Sequence, residues 1–162
     1  MKIVGIVGWK NSGKTFLAQK LISFFSKLNL NVASIKHAHH DFDIDQPGTD
    51  SYLHRESGAN QIIVSSSRRW AKIVELNNLK EKNLNELIDN LDNPDIVIVE
   101  GFKKEKHNKI EIINEKTESE NYLFNVVSNV ICIVSDNKVN TSIKQFRKND
   151  IEKIANFILE TF

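Results

Sequence analysis

The chain is 162 residues long, enough for one ordinary hydrophobic core but not for two. Hydrophobic residues make up 40% and charged residues 27%, which excludes collagen-like and disordered classes, and no apolar run reaches the ~18–20 residues of a membrane-spanning helix. With 22 Lys+Arg against 21 Asp+Glu the net charge is +1, so electrostatics nominates neither nucleic acid nor a membrane as partner.

Residues 2–8 form a β-branched apolar run ending in glycine, the pattern of a strand buried on both faces. From Lys14 to Leu28 the residues Leu17, Leu21, Phe24, Phe25 and Leu28 recur at helical spacing. Residues 31–36 read as a second strand, followed by a polar loop to Gly48 and a short helix to about Gly58 capped by Thr49 or Asp50. Gln61–Ser65 and Arg69–Glu75 read as a hairpin, and Asn77–Asn93 as an amphipathic helix through Leu84, Leu87, Ile88 and Leu91. Asp95–Glu100, Lys109–Ile113 and Val130–Ser135 are further strands. A short helix is expected near Tyr122–Val127, and a closing helix over Asp150–Phe162. Alternating strands and helices with buried strands predict a single domain, residues 1–162, with a three-layer α/β architecture around a mostly parallel sheet. The lone Cys132 excludes an intrachain disulfide and is expected in the core. The absence of a disulfide pair suits a reducing compartment, and the short N-terminal apolar stretch does not fit a signal peptide, so the cytoplasm is the expected location.

The strongest chemical signal is Gly8-Trp9-Lys10-Asn11-Ser12-Gly13-Lys14-Thr15, a complete G-x-x-x-x-G-K-[ST] pattern between a strand and a helix. Gly8 lets the chain turn, and backbone N–H groups from Asn11 through Ser12 and Gly13 curl around an anion. The helix N-terminus faces the same anion, Lys14 adds charge for the outer phosphates, and the Thr15 hydroxyl suits Mg²⁺. A phosphate-binding loop of this kind works with a carboxylate at a neighbouring strand end. Glu100, after four apolar residues, is therefore the candidate catalytic and Mg²⁺-holding acid. Asp136, after the strand ending at Ser135, is the candidate acceptor for guanine.

The segment from Lys36 to Asp45 is dense in ligand-type side chains. His37, His40 and Asp43, with Asp50 beyond, are candidates for a substrate or phosphate loop. A transition-metal site at His37 and His39 and a plain solvated loop are the other readings. Ser65-Ser66-Ser67-Arg68-Arg69 is either an anion site or a polar hairpin turn. The basic run at Lys103, Lys104, Lys106 and Lys109 reads as a solvated face rather than a nucleic-acid surface.

Taken together, Gly8–Thr15, Lys36-His37-Ala38-His39-His40-Asp41-Phe42-Asp43-Ile44-Asp45-Gln46-Pro47-Gly48, Asp50-Ser51, Arg68-Arg69-Trp70 and Val99-Glu100-Gly101-Phe102-Lys103 resemble the MobB family of molybdopterin-guanine dinucleotide biosynthesis adapters, over about residues 2–160. The resemblance implies a P-loop NTPase fold with a protruding β-hairpin and a GTP- and Mg²⁺-binding protein of molybdenum cofactor maturation. It further implies assistance to the guanylyltransferase MobA, at most weak GTP hydrolysis, and a homodimer in which Gln61–Glu75 takes part. A hairpin alone leaves Ile62, Val64 and Trp70 uncovered, which fits such a contact. Thr49 stands where the family often has Lys, which argues against a phosphate contact there. A P-loop small-molecule kinase is one alternative, although no Arg-rich insertion follows Gly101. A metallochaperone GTPase is another, although the chain lacks a Cys-rich metal motif.

Overall fold

In the computed structural model, which describes residues 1–38 and 41–162, the chain runs β1 (Lys2–Val7), α1 (Lys14–Lys27), β2 (Val32–Lys36), α2 (Asp50–Glu56), β3 (Gln61–Ser65) and β4 (Trp70–Val74). It continues as α3 (Leu84–Ile88), β5 (Ile96–Glu100), β6 (Lys109–Ile112), β7 (Val130–Val134), β8 (Lys144–Phe146) and α4 (Ile151–Thr161), with 3-10 turns at Ser119–Asn121 and Leu123–Asn125. His40, a candidate loop residue, lies outside the described residues, as does His39. The chain divides into two compact units, Met1–His37 with Leu84–Phe162, and Ala38–Asn83.

In the first unit six strands form one sheet in the order β2-β5-β1-β6-β7-β8, with every neighbouring pair parallel. All strand C-termini therefore share one edge, where Gly8, Lys36, Glu100 and Ser135-Asp136 stand. The expectation of an α/β fold built on a parallel sheet holds. Strand alternation explains the continuous apolar runs. Val4, Ile6, Ile96, Ile98 and Ile110 face Leu17, Leu21 and Phe25 of α1 and Ile154 and Ile158 of α4. The opposite face is covered in two patches. Leu84 of α3 packs on Ile35, Val97 and Val99, and Ile113, Ile133 and Val139 pack with Tyr122 and Phe124. Cys132 is fully buried, as expected of a small core residue, and burial pushes its thiol up to about 12.

Three local expectations need correction. The helix expected over Asn77–Asn93 is only the five residues of α3. Asn77 and Asn93 adopt left-handed backbone (φ 48° and 43°), a conformation asparagine favours and a helix forbids. Leu87, Ile88 and Leu91 still pack on the sheet. The short helix expected near Tyr122 is a pair of 3-10 turns, and β8 carries no apolar periodicity in its three residues, Lys-Gln-Phe, to announce it. Ile62, expected among the hairpin's uncovered side chains, is 5% exposed because α2 packs against β3.

In the Ala38–Asn83 unit, β3 and β4 form a separate antiparallel hairpin, with Ile62 opposite Ile73. Arg55 of α2 holds Asp43 and Asp45, each with an oxygen 3.1 Å from its Nη2. This ties the polar loop to the helix. Among the described residues no helix is long and apolar enough to cross a membrane.

Candidate functional site

At Gly8 the sheet edge leaves no room for a side chain. A Cβ there would stand 2.6 Å from the Ile112 carbonyl oxygen and 2.5 Å from Ser12 Oγ. The loop then curls, with the Ser12 N–H donating to the Trp9 carbonyl at 3.2 Å and Asn11 in left-handed backbone at φ 61°. No side chain caps α1, whose N-cap is Gly13, so its first N–H groups point out of the helix toward the loop. Ser12 is 4% exposed, and its hydroxyl finds no hydrogen-bond partner among the described residues. This orphaned buried hydroxyl and the uncapped helix end leave hydrogen-bonding groups that an anion could take up.

Two further groups meet at the same edge. Lys14 Nζ donates to the Trp9 carbonyl at 2.7 Å. Its pKa lies below the ordinary lysine value, chiefly through burial. Lys103 and Lys36 add to the depression, while the Glu100 carboxylate opposes it. Thr15 Oγ1 lies 3.1 Å from both carboxylate oxygens of Glu100, so the end of β5 and the first turn of α1 are held together. A hydroxyl beside a carboxylate is a hard-oxygen donor set suited to Mg²⁺.

Glu100 leads directly into a tight reversal. Gly101 has φ 99°, and a Cβ on it would stand 2.8 Å from the His37 Cβ. Phe102 follows at φ 48°, a left-handed conformation that costs a bulky residue ~1–3 kcal/mol. Its ring stacks on the His37 imidazole (4.7 Å between centroids, 28° between planes), and it packs into the α3-side core. The His37 N–H donates to the Glu100 carbonyl at 2.9 Å. His37 thus props the turn after Glu100. The reversal sends Lys103 over the Trp9 indole, its Nζ 4.7 Å from the ring centroid. The indole Nε1 donates to the Asn121 carbonyl at 2.7 Å.

The remaining candidates are Asp136 in the first unit and Asp43 and Asp50 in the second. Asp136 follows β7 on the same sheet edge, where Oδ1 accepts the Lys148 N–H at 3.1 Å. Asp43 pairs with Arg55, and Asp50 opens α2 and lines a groove of 550 Å³ with Thr49, His54 and Ile62. Among the described residues no three His, Cys, Asp or Glu side chains gather to hold a metal ion.

Sequence reasoning undervalued Lys103 by averaging it into a basic run, and it gave Lys36 no role. Glu111 also escaped notice, although an acid inside the apolar run Lys109–Ile113 was a signal. It is 1% exposed and accepts the N–H groups of Leu123 and Phe124, both at 2.8 Å.

The family model described as "Molybdopterin guanine dinucleotide synthesis protein B", MobB, matches residues 3–136. The chain belongs to the MobB family. It is 35% identical over 160 residues to the molybdopterin-guanine dinucleotide biosynthesis adapter protein of Escherichia coli, covering 98% of this chain and 91% of that one. The adapter protein of Haemophilus influenzae is 36% identical over 134 residues, covering 78% and 74%. Among solved structures, a molybdopterin-guanine biosynthesis protein B superposes with a TM-score of 0.79 at 28% identity, covering 99% of both chains. Bacillus subtilis MobB superposes with a TM-score of 0.77 at 25% identity, covering 99% of this chain and 97% of that one. These MobB structures share the α/β fold described above.

Proposed function

We propose that this MobB-family chain is a GTP-binding adapter in molybdopterin-guanine dinucleotide biosynthesis, acting in the cytoplasm as a homodimer. In this reading it assists the guanylyltransferase MobA, which attaches GMP to molybdopterin, and hydrolyses GTP slowly at most. The observation that carries the nucleotide reading is the meeting of Lys14, Thr15 and Glu100 around the uncapped start of α1. The N–H groups from Asn11 to Thr15 hold the phosphates, Lys14 moves from the Trp9 carbonyl to their oxygens, and Ser12 Oγ supports the cradle from beneath. Thr15 and Glu100 are the residues that would hold Mg²⁺, which supplies charge neutralisation on the phosphate oxygens. Glu100 can also orient a water for slow hydrolysis. Asp136 is the acceptor for the guanine N1 and N2 groups, its carboxylate oriented by the Lys148 N–H on Oδ1 and the Lys148 ammonium 3.7 Å from Oδ2.

Titration calorimetry with GTP and Mg²⁺, paired with phosphate release, tests this reading. Lys14→Ala should lower GTP affinity about a hundredfold with circular dichroism unchanged, since it deletes roughly two charge-assisted phosphate contacts. Glu100→Gln should keep most of the binding and lose most of the hydrolysis. Wild-type affinity in Lys14→Ala would overturn the phosphate-loop assignment, and unchanged turnover in Glu100→Gln would remove Glu100 from the chemistry.

A further inference from the structure

Three lysines from three different elements converge where the loop meets the sheet edge. Lys14 opens α1 and rests its Nζ on the backbone carbonyl of Trp9 at 2.7 Å. Lys103, thrown back by the Gly101-Phe102 reversal, stands over the ring of the same Trp9 at 4.7 Å. Both ammonium groups are thus gathered on one loop residue, whose indole is itself fixed by the Asn121 carbonyl. Lys36, the last residue of β2, is in register with Glu100, the last residue of β5. Strand alternation puts both on the sheet face opposite Ile35 and Val99, the face that Thr15 reaches to bond Glu100. Lys36 and Lys103 both act electrostatically on Lys14.

Three ammonium groups against two carboxylates, Glu100 and the buried Glu111 that Lys103 also acts on, leave a surplus of positive charge beside the cradle. That surplus exceeds what the phosphates nearest the loop require, since the loop N–H groups and the helix start already serve those. Among the described residues neither added lysine forms an ion pair with a carboxylate within 4.0 Å, although Lys103 acts on Glu111 at longer range. Lys103 uses a ring face as its rest, which leaves its three N–H donors for an anion. We propose that Lys36 and Lys103 are specificity residues that read the terminal phosphate of a nucleoside triphosphate, setting the preference for triphosphate over diphosphate. The inference rests on the phosphate-loop reading and deepens it. The strained Phe102 and its stack on His37 then have a purpose, because they fix the direction in which Lys103 leaves the turn.

The test is calorimetric titration of the full chain with GTP and with GDP, each with Mg²⁺, for wild type, Lys36→Gln, Lys103→Gln and Lys103→Arg. Each glutamine variant should lose about tenfold in GTP affinity, the worth of one charge-assisted contact, while GDP affinity changes less than about threefold. Lys103→Arg, which keeps both the charge and the ring contact, should retain the wild-type preference. A GTP-to-GDP affinity ratio unchanged in both glutamine variants would overturn this inference alone, as would equal losses for the two nucleotides. A wild-type chain that binds neither nucleotide would overturn the phosphate-loop reading, and this inference with it.

Discussion

His107 lies against Gly5 of β1 with both imidazole nitrogens buried and unpartnered among the described residues. Burial first, and the Lys109 ammonium second, hold its pKa down at about 4 instead of 6.5. The sign of the consequence follows from proton uptake. Between about pH 6.5 and 4 the unfolded chain carries a proton on this residue that the folded chain refuses, so stability falls as pH drops through that window. Lys109, expected on a solvated basic face, lies instead in the same buried corner. It is fully buried, and its ammonium is satisfied by the carbonyls of Glu105, His107 and Ser128. Chemical denaturation of His107→Gln should give a shallower fall in stability from pH 7 to 4.5, with the slope difference approaching one proton. Superimposable slopes would show that His107 titrates alike in the folded and unfolded chain. Nothing in the sequence marked this residue, since its burial comes from the way residues 101–108 pass from β5 to β6 across β1.

At the scale of the element, the stretch from Ser119 to Asn125 is held by a carboxylate rather than by helical periodicity. Glu111 in the middle of β6 accepts the N–H groups of Leu123 and Phe124, one on each oxygen. Burial raises its pKa while the two N–H bonds act to lower it. The same stretch supplies the carbonyl that fixes the Trp9 indole, so Glu111 braces the Gly8–Thr15 loop through two links. Glu111→Gln turns an amide NH₂ toward one of those N–H groups and leaves that donor unsatisfied, at a cost of ~1–3 kcal/mol. For a chain of this size the melting temperature should fall by roughly 2–10 °C. Hydrogen exchange should quicken at Leu123 and Phe124. Exchange rates equal to wild type would refute the clamp.

At the scale of the whole molecule, the hairpin bears on self-association. The face of β3-β4 that carries Ile63, Trp70 and Val74 leaves them 66%, 69% and 39% exposed, while Ile62 on the other face is buried within its own unit. An aspartate at position 62 would therefore disrupt the subunit itself, and the side chains that test dimerisation are Ile63 and Trp70. Ile63→Asp with Trp70→Ala should convert a wild-type dimer into a monomer in sedimentation at micromolar concentration, because a charge cannot desolvate in a cross-subunit apolar contact. A variant that remains dimeric would place the contact elsewhere.

The sequence alone determined the alternation of buried strands and amphipathic helices, the Gly8–Thr15 motif between β1 and α1, and the acid at the end of β5. Each is encoded locally, by apolar periodicity or by residue types at a fixed spacing. It also carried the family, through motifs spread along the chain. Only the tertiary structure decided that Lys36 and Lys103 stand with Lys14, that Glu111 clamps the 3-10 turns, and that Ile62 is covered while Ile63 is not. Those facts depend on strand order, register and the path of the β5–β6 connection. Such features join residues far apart in the chain and leave no periodic trace in it.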